Sequence, residues 1–338
     1  AILHHKDPRL GHLPHMQRPF ETLRAASGKN ATTSTDWDQD DMTACVRDCL
    51  EQLFHREAQE KPSVYNMKRG VNGDAELDAY RGLEMSTSEG VPYCWDRPKS
   101  EKGKRHLFNQ DEESGEYTIK SDLLARRLAE QEAQMRKKYR PLFLWKDFNK
   151  DEVLSMKKIL AGTTRHITGC PVDYAIHVRR YFGWVINEFY RAYDGSFSAV
   201  GMDSYSSDWH DMIAWLKEMS SHGFDADFKK FDSRMNAQFL ETLRDELERI
   251  YKKGDDWCQE DANVRAVLMN EMMHTLELIG DEAFRSHHGN PSGNPLTTIV
   301  NTIFGATLLR LSWLELVRKF EKTGKVPESF RGLPGYNR

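Results

Sequence analysis

Residues 224–235 read FDADFKKFDSRM and set two aspartates, Asp227 and Asp232, five positions apart, with Asp225 just ahead of them. Phe224, Ala226 and Phe228 alternate with Asp225, Asp227 and Lys229, the period-two pattern of a half-buried strand. On that pattern alone the acids are solvated residues of the strand's outer face. The other chemistry open to them is metal binding. Asp227, at the end of a strand facing a cleft, could hold a divalent cation, because Mg²⁺ is satisfied by one or two carboxylates plus phosphate oxygens.

A second stretch, GNPSGNPLTTIVNT (289–302), runs from a Gly/Pro-rich loop straight into a helix. Gly289 and Gly293 permit close backbone approach to a ligand. Thr297 and Asn301 share a helix face, since they lie four residues apart. Such a polar stripe, with Ser292 and Thr298 beside it, either pairs with a neighbouring helix or faces a sugar hydroxyl. A third stretch is basic. Residues 146–165, KDFNKDEVLSMKKILAGTTR, carry Lys150, Lys157, Lys158 and Arg165, and KSEKGKRH (99–106) and RKKYR (136–140) precede them. Spread over a surface, these are a solvated face. Converging on a cleft, they would neutralise a triphosphate and a nucleic-acid backbone.

The elements that must position these residues are mostly helical. Apolar periodicity predicts helices over about 40–57, 121–139 (with Ser121 as N-cap), the stretch after Pro171, DWHDMIAWLKEMS, 233–252 (capped by Asp232 or Ser233), 261–279 and 293–322. PLFLWKDF and the region of TTRHITGC read as short strands, residues 1–35 as irregular, and 60–120 as loop-rich. The class is α+β, rich in helix, with no internal repeat.

With 338 residues, 39% hydrophobic and 30% charged, the chain can build two or three lobes and a sizeable core. Its net charge of −4 gives no global basic excess. Five scattered cysteines point to a reducing compartment. Cys45, Cys49 and His55 have no second ligand pair nearby, and the cysteines read as helix-core residues. The first residues lack the apolar run of a signal peptide. The most apolar segment, LTTIVNTIFGATLLRLSWLELV, is broken by Asn301, Arg310 and Glu315 and reads as a buried helix rather than a membrane span.

In order along the chain stand TSEGVPY (87–93), a KDE segment ending in TTR, DFKKFD and SGNPLTTIVNT. This succession resembles the RNA-dependent RNA polymerases of picornavirus-like positive-strand RNA viruses, from about Gly70 onward. TSEGVPY is similar to that family's template-channel loop, KDE through TTR to its basic fingers segment, DFKKFD to its D-x4-D palm motif, and SGNPLTTIVNT to its nucleotide-selection motif. The resemblance implies a right-hand polymerase fold, with helix-rich fingers over 1–220 and a partial palm with an inserted helical fingers segment over 221–338. It implies Asp227 as the catalytic, metal-holding residue for Mg²⁺ or Mn²⁺ in a two-metal displacement. Asp232 would read the ribose 2′-OH, supported by Asn301, with Ser292, Gly293 and Thr297 completing the nucleotide pocket. Lys150, Lys158 and Arg165 would contact nucleotide phosphates, and Thr87, Ser88 and Gly90 the RNA template. The partners implied are RNA template and primer, NTPs, a protein primer and other viral replication proteins. The place implied is the host-cell cytoplasm at membrane-associated replication complexes.

Two departures accompany the resemblance. Leu154 stands where the family usually carries an arginine. The family's G-D-D hairpin lies between apolar strands, whereas Gly254-Asp255-Asp256 follows LERIYKK and precedes another helix, so it is expected to be a helix C-terminal turn with solvated acids. On this reading the chain is a fragment of fingers and half a palm, with the thumb absent, and inactive when isolated. A reverse transcriptase-like polymerase and a non-catalytic RNA-binding or scaffold module are the competing readings. Asp232 disfavours the first, because a reverse transcriptase rejects the 2′-OH with a bulky gate.

Overall fold

The computed structural model describes residues 36–55, 57–150, 152–157, 166–223, 225–228, 231, 234–280, 282–286 and 289–323. Asp232, Lys158, Arg165 and residues 1–35 lie outside the described residues.

Helix α1 (Gln39–Leu53) begins at Asp38, whose carboxylate accepts from the amides of Asp40 and Asp41 and so satisfies two of the helix's orphan donors. Its buried stripe is Met42, Cys45, Val46, Cys49, Leu50 and Leu53, the i, i+3, i+4, i+7 spacing of a core-facing helix. Both cysteines are therefore core residues, as their helical setting suggests, and burial pushes the Cys45 thiol up to about 12. The short helix α2 (Met67–Asn72) and the hairpin β1 (Phe108–Gln110) and β2 (Tyr117–Ile119) occupy the loop-rich region. Helix α3 (Asp122–Arg136) starts at the expected cap, with the Leu124 amide donating to Ser121 Oγ at 3.3 Å.

The two strands read from the sequence are β3 (Trp145–Asn149) and β4 (His166–Gly169), paired antiparallel with Lys146 opposite Gly169. Helices α4 (Val172–Tyr181), α5 (Gly183–Arg191), α6 (Asp208–Met219), α7 (Ala237–Tyr251) and α8 (Gln259–Met273) follow. Strands β5 (Leu276–Ile279) and β6 (Glu282–Arg285) and the long helix α9 (Thr297–Thr323) complete the described order. The four-stranded sheet runs β4-β3-β5-β6, and β3 and β5 are parallel. Its inner face carries Trp145, which packs on Tyr174 of α4 with ring centroids 4.9 Å apart.

The main core lies between α1, α4, α5, α7, α8 and α9. Helix α9 is long and apolar enough to cross a membrane by length and composition. It nevertheless buries Ile299, Val300, Ile303, Phe304, Thr307 and Leu311 within the molecule. Arg310 of α9 pairs with Asp48 of α1 at 2.7 Å, and Phe304 packs on Phe239 of α7 at 4.8 Å. Truncating a buried phenylalanine of this kind costs about 3–5 kcal/mol.

Several boundaries differ from the sequence reading, with α1 ending at Leu53, α3 at Arg136 and the stretch after Pro171 divided into α4 and α5. Helix α7 starts at Asn236, whose side chain accepts from the Phe239 amide, and not at Asp232 or Ser233. Helix α8 ends at Met273, because the residues after it join β3 in a ladder that an extended helix would forfeit. Helix α9 begins at Thr297, after a loop held by Asn294.

Candidate active site

The strand expected over FDADF is not formed among its described residues. Residues 225–228 run as exposed irregular chain. A strand persists only where a neighbour takes its backbone hydrogen bonds, and among the described residues none pairs with this segment. What fixes it is aromatic. Phe228 packs on Phe231 at 4.9 Å, and Phe231 on Phe304 of α9 at 5.3 Å. Asp227 is thus anchored beside the first turns of α9, its carboxylate exposed and without a hydrogen bond or ion pair among the described residues. Mg²⁺ keeps several waters and takes one or two carboxylates plus substrate phosphates. An exposed carboxylate with no cation paired to it among the described residues fits that demand. Among the described residues no group of three or more His, Cys, Asp or Glu could hold a metal ion by itself.

The glycine-rich loop before α9 is tied down by the polar residues expected to read a nucleotide. Thr297 Oγ1 donates to the carbonyls of Pro291 at 2.9 Å and Asn294 at 2.8 Å. Asn301 Oδ1 accepts from Asn290 Nδ2 at 3.0 Å. Thr297 and Asn301 of the polar stripe are thus bonded to their own loop. The loop is docked in turn on the end of β4. Ser292 Oγ accepts from the Thr168 amide at 3.0 Å, and the Gly293 amide donates to the Thr168 carbonyl at 2.8 Å. The approach is close enough that a Cβ on Gly293 would stand 2.3 Å from the Thr168 oxygen.

The loop 87–93 is docked on the residues that follow β4. Gly90 adopts φ +73°, which glycine tolerates and a side chain resists, and a Cβ there would meet Pro171 Cα at 2.7 Å. The Val172 amide donates to the Glu89 carbonyl at 2.9 Å. At the loop's other end Lys104, only 5% exposed, donates through Nζ to the carbonyls of Glu84 and Thr87, both at 3.1 Å, and to Thr87 Oγ1. Burial pulls the lysine's pKa below its ordinary value. No feature of KSEKGKRH distinguished this lysine from the exposed Lys99 and Lys102; its partner is seventeen residues away.

Between these loops opens a cleft of about 1250 Å³. Thr87 and Ser88 line one wall, Phe148, Ile167 and Gly169 of the β3–β4 pair the other, and Gly293 and Pro295 close it. Its remaining wall includes Arg179, whose guanidinium donates to the carbonyls of Gly70 and Arg81 and lies over the Tyr80 ring at 4.8 Å. Sequence reading passed over Arg179, which looks like one more cation of an amphipathic helix. Lys150 is exposed just past the end of β3. Gly254–Asp256 form the turn after α7, where exposed Asp255 pairs with Lys61 at 2.6 Å.

A family model described as viral RNA-dependent RNA polymerase matches residues 23–333, so the chain belongs to that family. It is 26% identical over 346 residues to the RNA1 polyprotein of Cherry rasp leaf virus (99% of this chain, 15% of the polyprotein). It is 28% identical over 253 residues to the replicase polyprotein of Acute bee paralysis virus (75% of this chain, 13% of the polyprotein). Among solved structures it resembles the Sicinivirus 3Dpol RNA-dependent RNA polymerase, with TM-score 0.64 and 21% identity over 94% of this chain. That likeness shows the right-hand polymerase fold, with mixed helix and sheet. The chain spans 59% of that polymerase and a smaller share of each polyprotein.

Proposed function

We propose that the protein carrying this chain performs RNA-templated RNA synthesis, adding NTPs to an RNA 3′ end during replication of a viral genome. The observation that carries the reading is the cleft, where the template-type loop, the β3–β4 pair leading into the basic segment and the glycine-rich loop before α9 meet. Family membership supports it. Residues 1–220 are assigned to the fingers and 221–338 to part of the palm with an inserted helical fingers segment. Thr87, Ser88 and Gly90 take the template. Lys150, Lys158 and Arg165 attract the nucleotide phosphates. Asp232 and Asn301 read the sugar, and Ser292, Gly293 and Thr297 shape the pocket. NTPs, template and primer are the substrates, with a protein primer and other replication proteins as partners at cytoplasmic membrane-associated complexes.

Asp227 is the residue that would hold Mg²⁺ or Mn²⁺. When bound, the metal would supply charge stabilisation at the transferring phosphoryl group. The test is Asp227→Asn in the polymerase that contains this chain, assayed by primer extension. The change keeps size and removes the charge. It should cost several kcal/mol of transition-state stabilisation, on the order of thousands-fold in rate, while RNA binding survives. Near-normal polymerisation would overturn the assignment.

A further inference from the structure

Asp173, in the first turn of α4, is fully buried, yet nothing in a nucleotide-transfer mechanism calls for it. Its Oδ1 accepts from the Tyr174 amide at 2.8 Å. Its Oδ2 accepts from the Tyr93 hydroxyl at 2.9 Å, from Arg127 Nε at 3.0 Å and from Gln131 Nε2 at 2.8 Å. A carboxylate is retained at zero exposure only with a full set of donors, because its desolvation is costly and an apolar packing could join the same elements without it. What a carboxylate adds over apolar packing is direction. Each donor must arrive at a fixed point.

The donors come from three places. Tyr93 ends the loop TSEGVPY. Arg127 and Gln131 stand on α3. Arg127 also donates through Nη2 to the Leu142 carbonyl at 3.1 Å, three residues before β3. Tyr93 is itself 1% exposed, set in a second apolar cluster with Val71, Leu107, Leu124 and Ile176. The loop is therefore held at one end by a buried cation, Lys104 on Thr87, and at the other by a buried anion, Asp173 on Tyr93. Between the two posts Thr87 and Ser88 stay exposed on the cleft.

We propose that Asp173 is a positioning residue that fixes the loop Thr87–Tyr93 for the RNA template, acting through the Tyr93 hydroxyl. The proposal rests on the reading of Thr87 and Ser88 as template contacts. Asp173 touches no substrate. It sets where the two hydroxyls stand relative to the β3–β4 wall.

The experiment uses the polymerase that carries this chain, with Thr87→Val, Tyr93→Phe and Asp173→Asn variants. It measures the KM for a single-stranded RNA template, the KM for NTP and the thermal midpoint of each. Tyr93→Phe is expected to raise the template KM about tenfold, the scale of losing one hydrogen bond to a buried charge, and to leave the NTP KM unchanged. Asp173→Asn should act in the same direction and more strongly. If it does not fold, Tyr93→Phe decides alone, because it removes a single hydroxyl from a ring that stays packed. An unchanged template KM in Tyr93→Phe, beside a raised one in Thr87→Val, overturns the proposal. So does an equal rise in both KM values that tracks a fall in thermal midpoint, since that is what a merely structural tyrosine would give. An unchanged template KM in Thr87→Val shows instead that the loop is not a template surface, and the reading beneath the proposal falls.

Discussion

Replacing Gly293 by alanine isolates the docking of the nucleotide loop from its chemistry. The added Cβ would sit 2.3 Å from the Thr168 oxygen, 3.0 Å from Gly169 Cα and 3.1 Å from the Cys170 nitrogen. All three neighbours are backbone, so no side chain can swing aside. Relief requires the loop and the end of β4 to part by about 1 Å, judged against an ordinary van der Waals separation near 3.5 Å. If they stay together, the strain is that of an overpacked site, about 1–3 kcal/mol. If they part, the Gly293–Thr168 and Thr168–Ser292 hydrogen bonds are lost, at about 1 kcal/mol each. Either route predicts a loss of about 1–3 kcal/mol, or several degrees in thermal midpoint. A 1 Å displacement of positioning groups costs on the order of a hundredfold in rate. Nucleotide incorporation should therefore fall much further than stability does. Gly223→Ala is the control, since nothing lies within 4 Å of a Cβ built there. The assays are thermal unfolding and single-nucleotide extension. A Gly293→Ala protein with unchanged midpoint and unchanged incorporation would refute the claim that this loop is docked on β4.

Asn301→Ala should lower the preference for NTP over dNTP, read as the ratio of kcat/KM values. It should also cost about 1 kcal/mol in urea unfolding, because it removes one of the two hydrogen bonds of the buried Asn290 amide, the one to the Thr297 carbonyl remaining. Buried Glu277 sits against Asp147, and burial followed by that neighbouring charge raises its pKa from 4.5 to about 8. A folded-state value above the unfolded one means stability present below about 4.5 and lost as pH rises through about 8. The urea midpoint should therefore fall across that window, and Glu277→Gln should flatten the fall. Asp255→Asn should be silent in both stability and extension: the Lys61–Asp255 pair is exposed on both sides, and such pairs contribute about 0–1 kcal/mol.

Where local chemistry and tertiary demand agreed, the elements were legible. Ser121 and the apolar spacing of α3 announced that helix, and the β3 and β4 strands were read in place. Where a distant ladder decided, local pattern failed. LELI after α8 continued an apolar run that suits a helix. It became β5 because the free edge of β3 takes Glu277 and Leu278 in parallel register. The hairpin partner β6 had a local sign that was passed over, Gly280 at φ +65° between two short runs. FDADF erred the other way: its alternation suits a strand, but among the described residues it has no partner, and Phe228 pins the chain to α9 through Phe231. In the cleft, residue types at motif spacing had singled out Thr87, Ser88 and Gly293, which line its walls, whereas Asn301 is tied to the loop before α9. Lys104, Arg179 and Asp173 were illegible because their roles are set by loops 17 to 109 residues away in sequence.

The residues that sequence singles out for chemistry do not hold one another. Thr168 fastens Ser292 and Gly293 through its amide and carbonyl. Cys170 and Pro171 form the surface against which Gly90 is pressed, Val172 takes the Glu89 carbonyl, and Asp173 takes Tyr93. Six consecutive residues at the junction of β4 and α4, none bearing a motif of its own, thus receive both loops of the cleft. Close backbone approach of this kind is intolerant of displacement, and glycine stands at its two tightest points, Gly293 against Thr168 and Gly90 against Pro171. It follows that the two loops cannot shift independently without breaking hydrogen bonds on this one segment. A perturbation of either should be felt by the other through Thr168–Asp173 before it is felt through any bound substrate.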